Sequence, residues 1–161
     1  MEQLFYFPYH EAAHVVAGWV LGLPIDRVIV DKAGWGVKKS RWHSLTRQFH
    51  AVSQETVRRD VIFCLVGDCG EMLVGGEGAH LYEHDDHLAR TLSRKFALDL
   101  ASLRQEAFHL VLTHKHTIAS IAQKLRQKAE KADIGKGDTI ELFSSYEMAL
   151  ERMNWLARGK C

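Results

Sequence analysis

Proline is scarce in this chain and cysteine nearly so, at two and three of 161 residues, and neither sign of charge dominates, with 21 basic against 20 acidic residues. Each shortage excludes something. Cys64, Cys69 and Cys161 are odd in number and lack C-x-x-C or C-x-x-H spacing, which argues against a disulfide framework or a thiolate zinc site. Cys64, inside VIFCLV, reads as a small buried hydrophobe, and a reducing cytoplasm is the expected compartment. Near-neutral charge offers nothing to draw the chain to nucleic acid or an anionic membrane. The longest apolar run, Val15 to Pro24, is too short to cross a bilayer, and the N-terminus lacks the basic segment and cleavage site of a signal peptide. No G-x-x-x-x-G-K-[ST] phosphate loop occurs. Repeats, low-complexity tracts and linkers are missing too, so residues 1–161 are expected to form a single domain.

The two prolines, Pro8 and Pro24, bracket a first helix, with Pro8 expected in its opening turn and Gly22 at its stop. IDRVIVDKAGWGVKKSRW alternates apolar with polar and predicts two short strands turning around Gly34 and Gly36. Ser53, Glu55 and Thr56 open a long helix that ends at Gly75 and Gly76, and GEGAHLYEH reads as a loop. Leu88, Leu92 and Phe96 mark a third helix from about Asp85 to Leu98. A fourth is expected from about Leu103 to Lys131 and a last one from about Thr139 to Trp155. The class is α+β and mostly helical: a small sheet beside the first helix and a C-terminal helical bundle.

What the first helix carries is chemistry. YHEAAHVV places His10 and His14 four residues apart, about 40° apart on one face, with Glu11 beside them. Beyond the motif the helix has no charge and no clear polar face, so it is expected to be buried, and buried ionisable groups need partners. Two imidazoles one turn apart can hold a zinc ion, and a neighbouring Glu can take a proton from the water that the metal activates, whose pKa falls from about 15.7 to about 7. A third ligand is required. The metzincin continuation would need Gly and His where Ala17 and Val20 stand, which excludes it. Glu71 would make a gluzincin-like site, Asp85 or Asp86 would supply a carboxylate from a helix start, and His43, His80, His84 and His87 are weaker candidates. Spacing does not choose among them.

The ordered segments resemble the peptidase domain of the FtsH family, the ATP-dependent zinc proteases. YHEAAHVVAGWVLGLPIDRVIV is similar to that family's Tyr-His-Glu-Ala-Gly-His helix and following strand, and GWGVKK to its second strand. LVGDCGEMLVGG is similar to its Gly-Gly-Arg-Ala-Ala-Glu-Glu-Leu helix, HDDHLARTLSRKFAL to its Asn-Asp-Leu helix, and IGKGDTIELF to a turn near its end. The resemblance implies a zincin-like domain and a zinc-dependent endopeptidase, with His10, His14 and an Asp as ligands and Glu11 as catalytic base. The family places Ala four residues and Arg nine residues after its Asp; Ala89 and Arg94 satisfy this from Asp85, whereas Asp86 meets Arg90 and Lys95. Asp85 is the expected ligand and Asp86 the alternative. Glu71 is expected to orient a ligand histidine. Periodicity agrees, since Asp85 lies three residues before Leu88 on the core-facing stripe while Asp86 lies toward Arg90.

Two departures bear on activity. Ala13 stands where the family has Gly, and no ATPase module accompanies the nine residues before the motif. Hydrolysis is therefore expected to be ATP-independent, on unfolded protein or peptide substrate or beside a separate ATPase; the alternative is a non-catalytic metal-binding interaction module of the same fold. The family's hexamers rest on its ATPase ring and are not carried over. His114 and His116 in THKHT read as solvated, and VKKSRW is a basic patch with an aromatic neighbour in a chain whose overall neutrality argues against a nucleic-acid site. If GWGVKKSRW is an edge strand, Lys38 and Lys39 would either favour acidic stretches of an added peptide strand or keep a solvated edge soluble.

Overall fold

A computed structural model describes residues 3–31, 34–39, 53–76, 83–132 and 140–159. Its elements in order are α1 (Gln3–Leu21), β1 (Ile25–Asp31), β2 (Gly34–Lys39), α2 (Gln54–Met72), α3 (Glu83–Lys95), α4 (Leu100–Thr113), α5 (Lys115–Lys131), β3 (Ile140–Phe143) and α6 (Ser145–Ala157). The class is α+β and mostly helical, with a small antiparallel sheet ordered β2-β1-β3.

α1 is the centre. Ala12, Ala13, Val15, Val16 and Ala17 have no exposed surface, because α2 and α5 pack on either side and the sheet lies against the same helix. A helix without a polar face buries itself from all directions. It begins earlier than expected, at Gln3, so Pro8 lies inside it rather than at its opening. A buried interior proline costs one backbone hydrogen bond, here to the carbonyl four residues back. The stop is as the sequence reads: Gly22 adopts φ +69°, and Leu23 N–H bonds back to Gly18 O at 2.8 Å, the six-to-one closure for which a left-handed residue is needed.

Gly34 and Gly36 lie within β2 and not in the turn; the linking residues are 32–33, outside the described set. Pairing runs Val28 with Val37 and Asp31 with Gly34. The third strand replaces the start of the expected last helix. Ile140–Phe143 pairs with β1, Phe143 opposite Val28, and Arg27 donates across the pair to Glu141 at 3.3 Å. The helix then starts at Ser144, whose hydroxyl accepts from Glu147 N–H while Glu147 accepts from Ser144 N–H. This S-x-x-E box was present in the sequence as a start signal.

The expected helix from Leu103 to Lys131 is two helices. α4 starts earlier, capped by Asp99, and the chain breaks at His114 (φ −107°, ψ 16°). The break separates partners: α4 packs on α2, whereas α5 packs on α1. His114 is buried against Trp155 with ring centroids 6.0 Å apart, not solvated as expected; His116 is exposed. Its place in the series Val111, His114, Ile118, Ile121, Leu125 was the sequence signal for burial. α3 starts at Glu83, so Asp85 and Asp86 stand inside its first turn; most of the expected preceding loop, residues 77–82, lies outside the described set. Among the described residues no helix is long and apolar enough to cross a membrane.

Candidate metal centre

Three helices converge on one point. α1 brings His10, Glu11 and His14; α2 crosses it and brings Gly67, Asp68 and Glu71; α3 brings Asp85. The crossing is close because α2 presents glycine there: a Cβ on Gly70 would lie 2.6 Å from Tyr9 O and 2.7 Å from Ala13 Cβ. A Cβ on Gly67 would lie 2.3 Å from His10 Cε1 and 2.7 Å from His14 Nε2. Side chains here would force the helices apart.

His10 Nε2 and His14 Nε2 are 3.1 Å apart, and Asp85 Oδ2 lies 3.9 Å from the first and 3.4 Å from the second. On its other side His10 Nδ1 lies 2.8 Å from Glu71 Oε1, and the carboxylate there can only accept. Nδ1 therefore carries the proton and donates, which leaves the Nε2 lone pair facing His14 and Asp85 whenever the ring is neutral. His14 packs on Phe63 with the rings tilted and centroids 4.7 Å apart, and its Nδ1 is buried with no hydrogen-bond partner among the described residues.

The electrostatics favour a cation. His10, Glu11, His14 and Glu71 are each at most 4% exposed, and the Asp85 side chain is 24% exposed. No described Lys or Arg pairs with Asp68, Glu71 or Asp85; the nearby Arg90 and Arg104 both go to Asp86, at 2.6 and 2.5 Å. Burial pushes the His10 imidazole down, but the carboxylates of Asp85, Glu71 and Glu11 reverse this and raise it to about 9. Burial likewise pushes Asp85 up, and the two imidazoles overcome it and hold the carboxyl well below its usual range. Burial and the neighbouring Glu71 and Asp85 raise Asp68, against the pull of His10. Without a metal the centre holds a proton where it could hold a divalent ion.

The donor set fits such an ion. Two imidazoles and a carboxylate are the ligand types of a zinc site with one open position. Bonds of about 2.0–2.1 Å at tetrahedral angles require ligand atoms about 3.3 Å apart, and the three observed separations bracket that value.

Of the sequence candidates, the structure brings His10, His14 and Asp85 together. It turns Asp86 away, onto Arg90 and Arg104. Glu71 sits behind His10 and not in the triangle. His87 is exposed, while His43, His80 and the side chain of His84 lie outside the described set, as do the side chains of Lys38 and Lys39. Asp68 and Gly67 were missed. Asp68 lies one turn before Glu71 and joins His10 and Glu71 in a second cluster; the i, i+3 spacing of the two acids was the available signal. Gly67 gave no signal, because its role is to leave space. No family model matches the chain, and no curated protein matches it.

Proposed function

We propose that this chain is a zinc-dependent metallopeptidase of the FtsH type with a zincin-like fold, cytoplasmic, acting without ATP on unfolded protein or peptide, alone or beside a separate ATPase. The observation that carries the reading is the triangle of His10 Nε2, His14 Nε2 and Asp85 Oδ2, with Glu71 fixing the His10 tautomer and Glu11 adjoining on α1. His10, His14 and Asp85 would hold the ion. When bound, zinc supplies Lewis-acid activation of a water at neutral pH. Glu11 would serve as the base, accepting a proton from the attacking water and returning it to the leaving amine. Glu71 keeps His10 in its ligating tautomer, as carboxylates behind metal-binding histidines do. β2, an edge strand among the described residues, suits pairing with an extended substrate.

Purified protein is expected to contain one zinc per chain, to lose it in His14→Ala, and to hydrolyse casein. Metal analysis beside the casein assay checks this, and folded protein that takes up no zinc would sink the reading. The ligand assignment has its own test. Asp85→Asn should weaken zinc binding at least about tenfold, whereas Asp86→Asn, which removes only the partner of Arg90 and Arg104, should change it little. Chelator competition measures both. The reverse order would move the ligand to Asp86, and no effect from either would leave Asp85 outside the centre.

A further inference from the structure

Beside the metal centre a cavity of about 320 Å³ opens between α2 and α4. Leu65 and Met72 wall it from α2 and Phe108 from α4, with Met72 50% and Phe108 38% exposed. Two charged groups line it, Asp68 and Arg104. Their situations differ. Arg104 is bonded to Asp86 outside the cavity. Asp68 is half-buried and has no hydrogen bond or ion pair with any described residue. Its carboxylate also belongs to the cluster that includes His10 and Glu71, whose ligand atoms all lie within 4.8 Å of one another. The same side chain thus faces the metal centre's surroundings and the cavity.

Apolar walls with a carboxylate that makes no hydrogen bond to a described residue, and whose nearest attraction is the His10 imidazole behind it, match a particular ligand shape: a flexible hydrocarbon stem ending in a cation. Lys and Arg bury such stems along apolar surface while keeping the charged head in a polar position. A half-buried carboxylate gains most from a partner that donates charge-assisted hydrogen bonds. We propose that this cavity is a substrate subsite that selects a basic side chain, Lys or Arg, with Asp68 as the specificity-determining residue. The inference rests on the peptidase reading, since it gives a role to a pocket one residue away from the hydrolytic centre. It also gives the face next to the zinc ligands a charge preference opposite to the one Lys38 and Lys39 would give β2. An extended substrate crossing both would carry acidic and basic positions some distance apart.

The test separates binding from turnover. In a Glu11→Gln background loaded with zinc, fluorescence anisotropy measures a labelled Ala/Gly-rich peptide with a single central Lys, the same peptide with norleucine, and the same with Glu. The Lys peptide is expected to bind about tenfold more tightly than the norleucine peptide, which has the same stem without the charge. Adding Asp68→Asn should reduce that ratio to within about twofold. Comparing peptides on unchanged protein needs no Asp68 variant, so a folding defect in the variant leaves the first comparison decisive. Equal affinity for Lys and norleucine, preference for Glu, or a Lys preference that survives Asp68→Asn overturns the proposal. Turnover by the Glu11-containing protein is scored separately. Hydrolysis without Lys preference leaves the peptidase reading standing and removes the subsite; Lys-selective binding with no hydrolysis does the reverse.

Discussion

Glu11→Gln should leave zinc in place and lower peptide hydrolysis by roughly a factor of 10² to 10⁴, the range that a positioned general base contributes. The substitution is isosteric, at a side chain 2% exposed in a helix whose neighbours Ala12 and Ala13 have no exposed surface, so nothing around it has to repack. What changes is that an amide cannot take a proton. The charge lost at Glu11 also removes part of the field that raises His10, so its affinity for a proton falls slightly. Zinc stoichiometry and casein turnover, measured on the same preparations, check both halves of the expectation. Equal turnover by the two proteins would remove Glu11 from the mechanism. Bound zinc with no turnover in either would favour the interaction module over the peptidase.

Gly67→Ala carries an equally large expected effect for a different reason. The added methyl would fall 2.3 Å from His10 Cε1, 2.4 Å from His10 Nε2 and 2.7 Å from His14 Nε2. Neither ring is free to step aside, since His10 is tied to Glu71 at 2.8 Å and is 1% exposed, and His14 packs on Phe63. Relief requires either rotating the imidazoles off their shared point or spreading α1 from α2 along a crossing that Gly70 also keeps tight. Overpacking of this kind costs about 1–3 kcal/mol, or a fall of roughly 2–12 °C in Tm for a chain of this length. Zinc affinity should drop at least about 100-fold, because the two donor atoms nearest the methyl are those the metal needs. Thermal melts with and without added zinc test it. A variant that binds zinc as tightly as the parent would mean that the helices do not cross where they are described.

The centre was legible where its information is local. His10 and His14 announce themselves by a four-residue interval in a helix with no other reason to carry them. The choice between Asp85 and Asp86 came from the resemblance, with periodicity in agreement: Ala89 and Leu92 are buried and Arg90 is exposed, and adjacent side chains diverge by about 100° on α3. What was not legible depends on which elements meet. Nothing in the sequence singles out Asp68, because only the packing of α1 and α4 on α2 brings it to His10 and the cavity. Four residues of β3 are too short to show a two-residue period, and their partner lies more than a hundred positions earlier. The break at His114 is decided by α4 and α5 docking on different helices, which no pattern within the segment encodes.

The pairing of β3 with β1 fixes an order of events during synthesis. Phe143 leaves the ribosome more than a hundred residues after Val28, yet the two are neighbours in the sheet. α1, the most completely buried helix, likewise waits for α5. A largely buried helix is therefore made before the elements that cover it, and local helices can form long before the sheet and core that shelter it. At roughly 5–20 residues per second, about 6–23 seconds separate the two strands. For that interval the apolar surface of α1 that α5 later covers stays open to solvent or to other chains.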